Sequence, residues 1–192
     1  MPIVVPGSVA NLGGGFDTLA VAVQVYLRVT VVDVRDDGAG GLTVRSSTPP
    51  VSGPNALERA YAHIARKLGR RAPSVVVDVE SDIPMAAGLG SSAAASVAGL
   101  RVFEQVTAPL PDSTLLDAAT TLEGHADNVA ASLYGGVVAT AADRAVRVPM
   151  SFDPAMVMWV PGFVTKTDES RTALPASVPM ADVVFNLGRT AM

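Results

Sequence analysis

Between Ser74 and Leu100 the chain reads SVVVDVESDIPMAAGLGSSAAASVAGL, a stretch that few folds accommodate. Its β-branched residues make the segment from Ser74 to Ser81 a strand. The glycines at 88 and 90 admit backbone conformations closed to other residues, and an alanine-rich helix follows through roughly Gln105. The unit is strand, glycine loop, helix, with the helix's first N–H groups and positive dipole end facing the loop from Gly88 to Ala94. Such an arrangement suits an anion, phosphate above all, and Ser91 and Ser92 add hydroxyl donors. The lysine of the G-x-x-x-x-G-K-[ST] loop is lacking; the chain's only two lysines, Lys67 and Lys166, are remote in sequence. Amides alone do not neutralise a triphosphate, so magnesium, held by hydroxyl, carboxylate and phosphate oxygens, is expected to supply the rest. Taken alone, GLGSSA is equally the pattern of a turn that packs a helix tightly onto a strand.

Around this unit the pattern mixes strands and helices without regular alternation. Ile3 to Val5 reads as a short strand ending at Pro6. Val25 to Val34 and the later LTVRS read as a hairpin around the turn from Asp36 to Gly41. Asn55 to Leu68 places Ala56, Ala60, Ile64 and Leu68 at helical spacing. After the linker TAPLPDS, Asp112 or Ser113 caps a helix that begins near Leu115 and ends at Gly124. ADNVAASLY is helical, GGVVATAADRAVRVPM reads as strands around a turn, AMVMWVP as a buried-type strand, and MADVVFNLGRTAM as a last helix. The fold class is α+β.

The 192 residues are 49% hydrophobic and 17% charged, which specifies a globular chain rather than a disordered one. A net charge of −4 argues against nucleic acid as partner and for a small molecule. With no cysteine there is no disulfide, thiolate metal site or cysteine nucleophile. MPIVVPGSVA lacks the marks of a secretory leader, and no apolar run approaches the roughly 18 residues of a membrane span. A cytoplasmic protein without a membrane partner is the expectation.

IPMAAGLGSSAA, from Ile83 to Ala94, resembles the ATP-binding signature of the GHMP kinases. Three further stretches extend the likeness, nearest to the homoserine kinases within that group: PGSVANLGGGFDTLAVAVQVYLRV, EGHADNVAASLYGGVV, and TKTDESRTALP followed by DVVFNLGR. The resemblance runs in order over essentially the whole chain. It implies a GHMP N-terminal domain, of the ribosomal protein domain 2-like kind, over residues 1–153, and the start of a second α+β domain over 154–192. It implies magnesium-assisted phosphorylation of the side-chain hydroxyl of L-homoserine by ATP, on the route to threonine. Alternatives are a noncatalytic binding or interaction module and a kinase for another small alcohol.

Residue by residue, the resemblance assigns Pro84, Ala86, Gly88, Leu89, Gly90, Ser91, Ser92 and Ala93 to ATP, and Asn55 to adenine. Asn55 is equally placed to cap a helix. Asn11 and Asp17, flanking LGGG, face the acceptor, with Asp17 near its hydroxyl; Asn and Asp beside glycines are also ordinary turn residues. His125 and Asn128 line the substrate pocket. Asn128 stands where mevalonate-type relatives carry a carboxylate base, and an amide accepts no proton from an alcohol. Catalysis therefore leans on positioning and charge stabilisation, with Asp17 orienting the hydroxyl or briefly taking its proton. Asp117 stands where the family places a magnesium-binding glutamate, one methylene shorter, with Ser92 as its partner hydroxyl. Glu123 is a weaker candidate for the metal and otherwise reads as a solvated helix-end residue, and His63 reads as a surface residue. Arg171, whose planar fork suits a carboxylate, resembles the arginine that grips the substrate; a surface pair with Asp168 or Glu169 is the alternative.

The chain departs from the family pattern at Gly7, Gly14 and Ala86, the last with a side chain that would push the loop backbone away from phosphate. Homoserine kinases also continue for about another hundred residues, the size of a small domain, and carry there a second glycine-rich motif and another arginine. A homodimer, or a complementing C-terminal polypeptide, is the corresponding partner expectation.

Overall fold

The N-terminal third is built around one long strand. In the computed structural model, which describes residues 1–51, 53, 55–142, 144–152, 154–159 and 175–191, strand β2 (Gly15–Arg35) pairs with three others. Strand β1 (Ile3–Leu12) runs antiparallel to it, from Ile3 opposite Val29 to Ala10 opposite Ala20. The expected stop at Pro6 does not occur. The pairing shifts register between Pro6 and Gly7 instead, an irregularity that accommodates a residue with no N–H to give the ladder.

The expected hairpin between the second and third strands is also corrected. Strand β3 (Gly41–Thr48) does not pair with β2; strand β4 (Ser74–Ser81) lies between them, antiparallel to β2 and parallel to β3. The link from β3 to β4 is a helical crossover through α1 (Ala56–Lys67), as a parallel pair requires. Strands β5 (Val137–Ala141) and β6 (Arg144–Val148) form the antiparallel pair expected of GGVVATAADRAVRVPM and complete a six-stranded sheet, ordered β3-β4-β2-β5-β6 with β1 on β2.

Helices α1, α2 (Ser91–Val106) and α4 (Asp127–Tyr134) cover the sheet, and α3 (Asp112–Glu123) packs on those helices. The core joins Leu27 and Val29 of β2 and Val75 and Val77 of β4 to Tyr61, Ile64, Val97, Leu100 and Phe103. Alanines let α2 sit close to its neighbours. At Gly99 even a methyl group would collide with the Leu57 carbonyl oxygen of α1, so the tightest point of that crossing admits only glycine. Tyr61 and Phe103 meet edge to face at 5.7 Å, and burial pushes the Tyr61 hydroxyl up to about 12 while it donates to the Pro73 carbonyl at 2.8 Å.

Among the described residues no helix is long and apolar enough to cross a membrane. Residues 155–159, the described part of AMVMWVP, form no strand and are exposed, Trp159 at 81%, against the buried strand expected there; residues 160–161 lie outside the described residues. The final helix, α5 (Met180–Ala191), rests on the β1–β2 turn: a Cβ at Gly14 would stand 2.8 Å from the Asn186 carbonyl oxygen.

Candidate active site

The glycine loop leads into α2 as the residue pattern predicts. Gly88 and Gly90 both have positive φ, at 72° and 64°, and so does Ala86 at 54°, a conformation that disfavours a side chain. Gly90 is the N-cap and offers no side chain to the helix. The first helical bond runs from the Ala94 N–H to the Gly90 carbonyl at 2.9 Å, so the N–H groups of Ser91, Ser92 and Ala93 precede it, as orphan donors at a positive helix end. Pro84, Ala86 and Leu89 belong to the loop before them, and the Leu89 carbonyl accepts from the Ser8 N–H at 3.0 Å, which pins the loop to β1.

A groove of about 230 Å³ opens beside the helix start, lined among others by Val51, Asn55, Leu57, Met85, Ser91 and Ser92. Asn55 is the N-cap of α1, its Oδ1 accepting from the Glu58 N–H at 3.0 Å. That bond uses the carbonyl end of the amide and leaves the Asn55 NH2 on a groove residue. The expected cap is present, and the same residue lines the groove.

Ser8 is the hinge between this loop and Asn128. Fully buried on β1, its hydroxyl donates to Asn128 Oδ1 at 3.0 Å and receives a bond from Ser132 at 3.3 Å. A side chain on Gly90 would run into the Ser8 hydroxyl, and its Cβ would lie 3.2 Å from Asn128 Oδ1. The start of α2, Ser8 and Asn128 therefore converge. Beside them, the buried Asp127 carboxylate meets His125 Nδ1 at 2.8 Å and accepts from the Asn128 N–H at 2.7 Å, which holds the EGHADN segment in shape.

Asn11 and Asp17 face each other across the β1–β2 turn. Asn11 Oδ1 accepts from the Asp17 N–H at 2.8 Å, and both residues have positive φ, consistent with the tolerance of Asn and Asp for that conformation. Ser8 and Asn11 are three residues apart on β1, about 10 Å along a strand, so one strand carries both the Asn128 contact and the Asp17 contact.

The pairing of Ser92 with Asp117 is not what the fold produces. Asp117, on the exposed side of α3, binds Lys67 Nζ of α1 at 2.7 Å. The carboxylate at the head of α2 is that of Glu123, whose Oε1 accepts from Ser92 at 3.1 Å and from Ser96 at 2.6 Å. Six residues separate Asp117 from Glu123, more than one and a half helical turns, enough to turn one toward α1 while the other closes on α2. The reading of Glu123 as a solvated helix end is corrected with it. Ser8 and Ser96 are the residues that sequence reasoning passed over, and Glu123, named there as the weaker metal candidate, is the one beside Ser92. The Ser92 to Ser96 spacing, one helical turn, was the available signal. His63 is half-buried rather than a surface residue, its Nε2 without a hydrogen bond among the described residues. Arg171 lies outside the described residues.

Residues 55–136 match the model of the GHMP kinases N terminal domain. The chain is 38% identical to the homoserine kinase of Deinococcus radiodurans over 97% of its own length and 62% of the relative's. It is 36% identical to that of Moorella thermoacetica over 100% of its length and 67% of the relative's. This chain belongs to the GHMP kinase family. Its fold agrees: a crystal structure of homoserine kinase from Cytophaga hutchinsonii superposes on the whole chain and 65% of that chain with a TM-score of 0.78, at 25% identity. The GHMP chain described here thus spans about two thirds of the length of the relatives it matches.

The donor set fits what such a fold would bind. Ser92 and Glu123 offer hard oxygen atoms of the kind magnesium takes, and the α2 amides offer N–H groups to phosphate.

Proposed function

We propose that this chain carries the nucleotide and acceptor sites of a homoserine kinase, transferring the γ-phosphoryl group of ATP to the side-chain hydroxyl of L-homoserine. The observation that carries the reading is the convergence of the uncapped start of α2, the Ser8–Asn128 pair and the Ser92–Glu123 pair on one spot. In this reading the N–H groups of Ser91, Ser92 and Ala93 hold the phosphates, and the groove lined by Asn55 and Met85 takes the base. Ser92 and Glu123 hold magnesium, which when bound supplies positive charge to the phosphate oxygens.

The homoserine hydroxyl oxygen bonds to the γ-phosphorus as the bond to the bridging oxygen breaks, and ADP leaves with that electron pair. The hydroxyl proton passes to the Asp17 carboxylate. Asn128 takes no proton. Ser8 donates to its Oδ1, its NH2 group keeps both hydrogens, and in this reading they donate to the transferring group, stabilising charge without covalent work. His125 and Asn11 line the acceptor side, and Arg171 grips the carboxylate. The unit formed by residues 1–153 would act with a second domain that begins at about 154.

The test is ADP release with L-homoserine, against no acceptor and against a panel of other hydroxy amino acids. Release that depends on homoserine supports the reading; release with another alcohol alone replaces the substrate; no nucleotide binding at all overturns it.

A further inference from the structure

Glu123 receives two hydroxyl groups on a single oxygen. Ser92 is exposed, Ser96 is 1% exposed, and both donate to Oε1, at 3.1 and 2.6 Å. The two serines stand one turn apart on α2, so their hydroxyls share one face of that helix. Only the upper one, at the helix start, borders the groove.

We propose that Ser96 is a positioning residue for the cation site, a buried brace that fixes the Glu123 carboxylate against α2. The inference rests on the assignment of Ser92 and Glu123 to magnesium given above. Glu123 is the last residue of α3, followed by Gly124 in a left-handed conformation with φ 81°, and a side chain at a helix end is otherwise free to swing. The shorter bond, from a donor shut off from water, anchors one carboxylate oxygen where solvent cannot compete. Oε2 receives neither serine bond and is left for the cation or its water. The Ser92 proton is spent on Oε1, which turns the lone pairs of the Ser92 oxygen outward. Partners of this kind, one step removed from the ion, orient its ligands, and their loss weakens metal affinity by about 10- to 100-fold.

The experiment is calorimetric titration of ADP into the 192-residue chain, with magnesium and with EDTA, for the unaltered protein and for Ser96→Ala. Alanine suits a buried helical position and adds no bulk, and binding in EDTA reports whether the nucleotide site is intact. Magnesium is expected to tighten ADP binding in the unaltered chain, and Ser96→Ala to reduce that gain about tenfold or more with binding in EDTA unchanged. Ser96→Thr, which keeps a hydroxyl, is expected to recover part of it. A gain that persists in Ser96→Ala overturns the brace alone. Loss of ADP binding in EDTA as well shows a merely structural serine and also overturns it. If magnesium makes no difference to the unaltered chain, the cation assignment fails and the brace fails with it.

Discussion

At Ser8 a hydroxyl group holds an amide in place beside the glycine loop. The Ser8 hydroxyl donates to Asn128 Oδ1 and also lies 3.2 Å from the Asn128 backbone carbonyl, so the amide is held by its oxygen end beside Gly90 and its NH2 group keeps both hydrogens. Ser8→Ala frees the amide to rotate and leaves the loop backbone bond to Leu89 intact. The expected result is a fall in kcat of roughly 10- to 100-fold, the scale of a small misplacement of a catalytic group, with KM for ATP little changed in steady-state assays. Equal losses in binding and turnover would contradict this role. The two acidic residues of α3 separate in the same way. Glu123→Gln is expected to raise the magnesium concentration needed for half-maximal nucleotide binding. Asp117→Asn is expected to leave that requirement unchanged and to cost at most about 1 kcal/mol of stability, since its pair with Lys67 is solvent-exposed. Magnesium titrations and urea unfolding of the two variants check both halves.

Helix α3 is tied to α1 on one side and to α2 on the other, which makes the α1–α3 contact a matter of element geometry. His63 lies on α1, near enough to Asp117 of α3 to feel its charge, and its buried Nε2 has no hydrogen-bond partner among the described residues. Burial lowers its pKa first, and the positive charges of Lys67 and Arg66 lower it further, against a smaller opposing pull from Asp117. The sign follows from linkage: the unfolded chain takes up a proton near pH 6.5 that the folded chain resists, so stability is full above that pH and declines as pH falls through the folded value. Urea midpoints measured between about pH 7.5 and 5.5 are expected to drop for the natural chain, and His63→Gln is expected to flatten part of that drop. An unchanged slope would remove His63 from the account. Local pattern located these helices well, since Asn55 caps α1 and the Gly90 turn opens α2 where the residues indicated. It failed for strand neighbours: the turn from Asp36 to Gly41 marks where the chain reverses, but β4, more than thirty residues later, fills the place beside β2.

For the whole molecule, a ligand that binds only the folded state raises stability by mass action. ADP with magnesium at 100 times its dissociation constant would add about 2.7 kcal/mol, or roughly 5 to 10 °C in Tm for a chain of this size. Differential scanning fluorimetry is expected to show that shift in the natural chain and a smaller one in Glu123→Gln; no shift in either would contradict the nucleotide site. The molecule also shows how far short-range information reaches. Glycines at 88 and 90, the N-cap at Asn55 and the β-branched run of β4 act through residues adjacent in the chain, so the strand, loop and helix that form the phosphate-binding candidate were legible from their own letters. The Ser92–Glu123 contact spans 31 residues and the Ser8–Asn128 contact 120. Neither is encoded in a local pattern. Each arises because packed helices and strands present a particular face to one another, and only the assembled core determines which of two nearby carboxylates turns toward the head of α2.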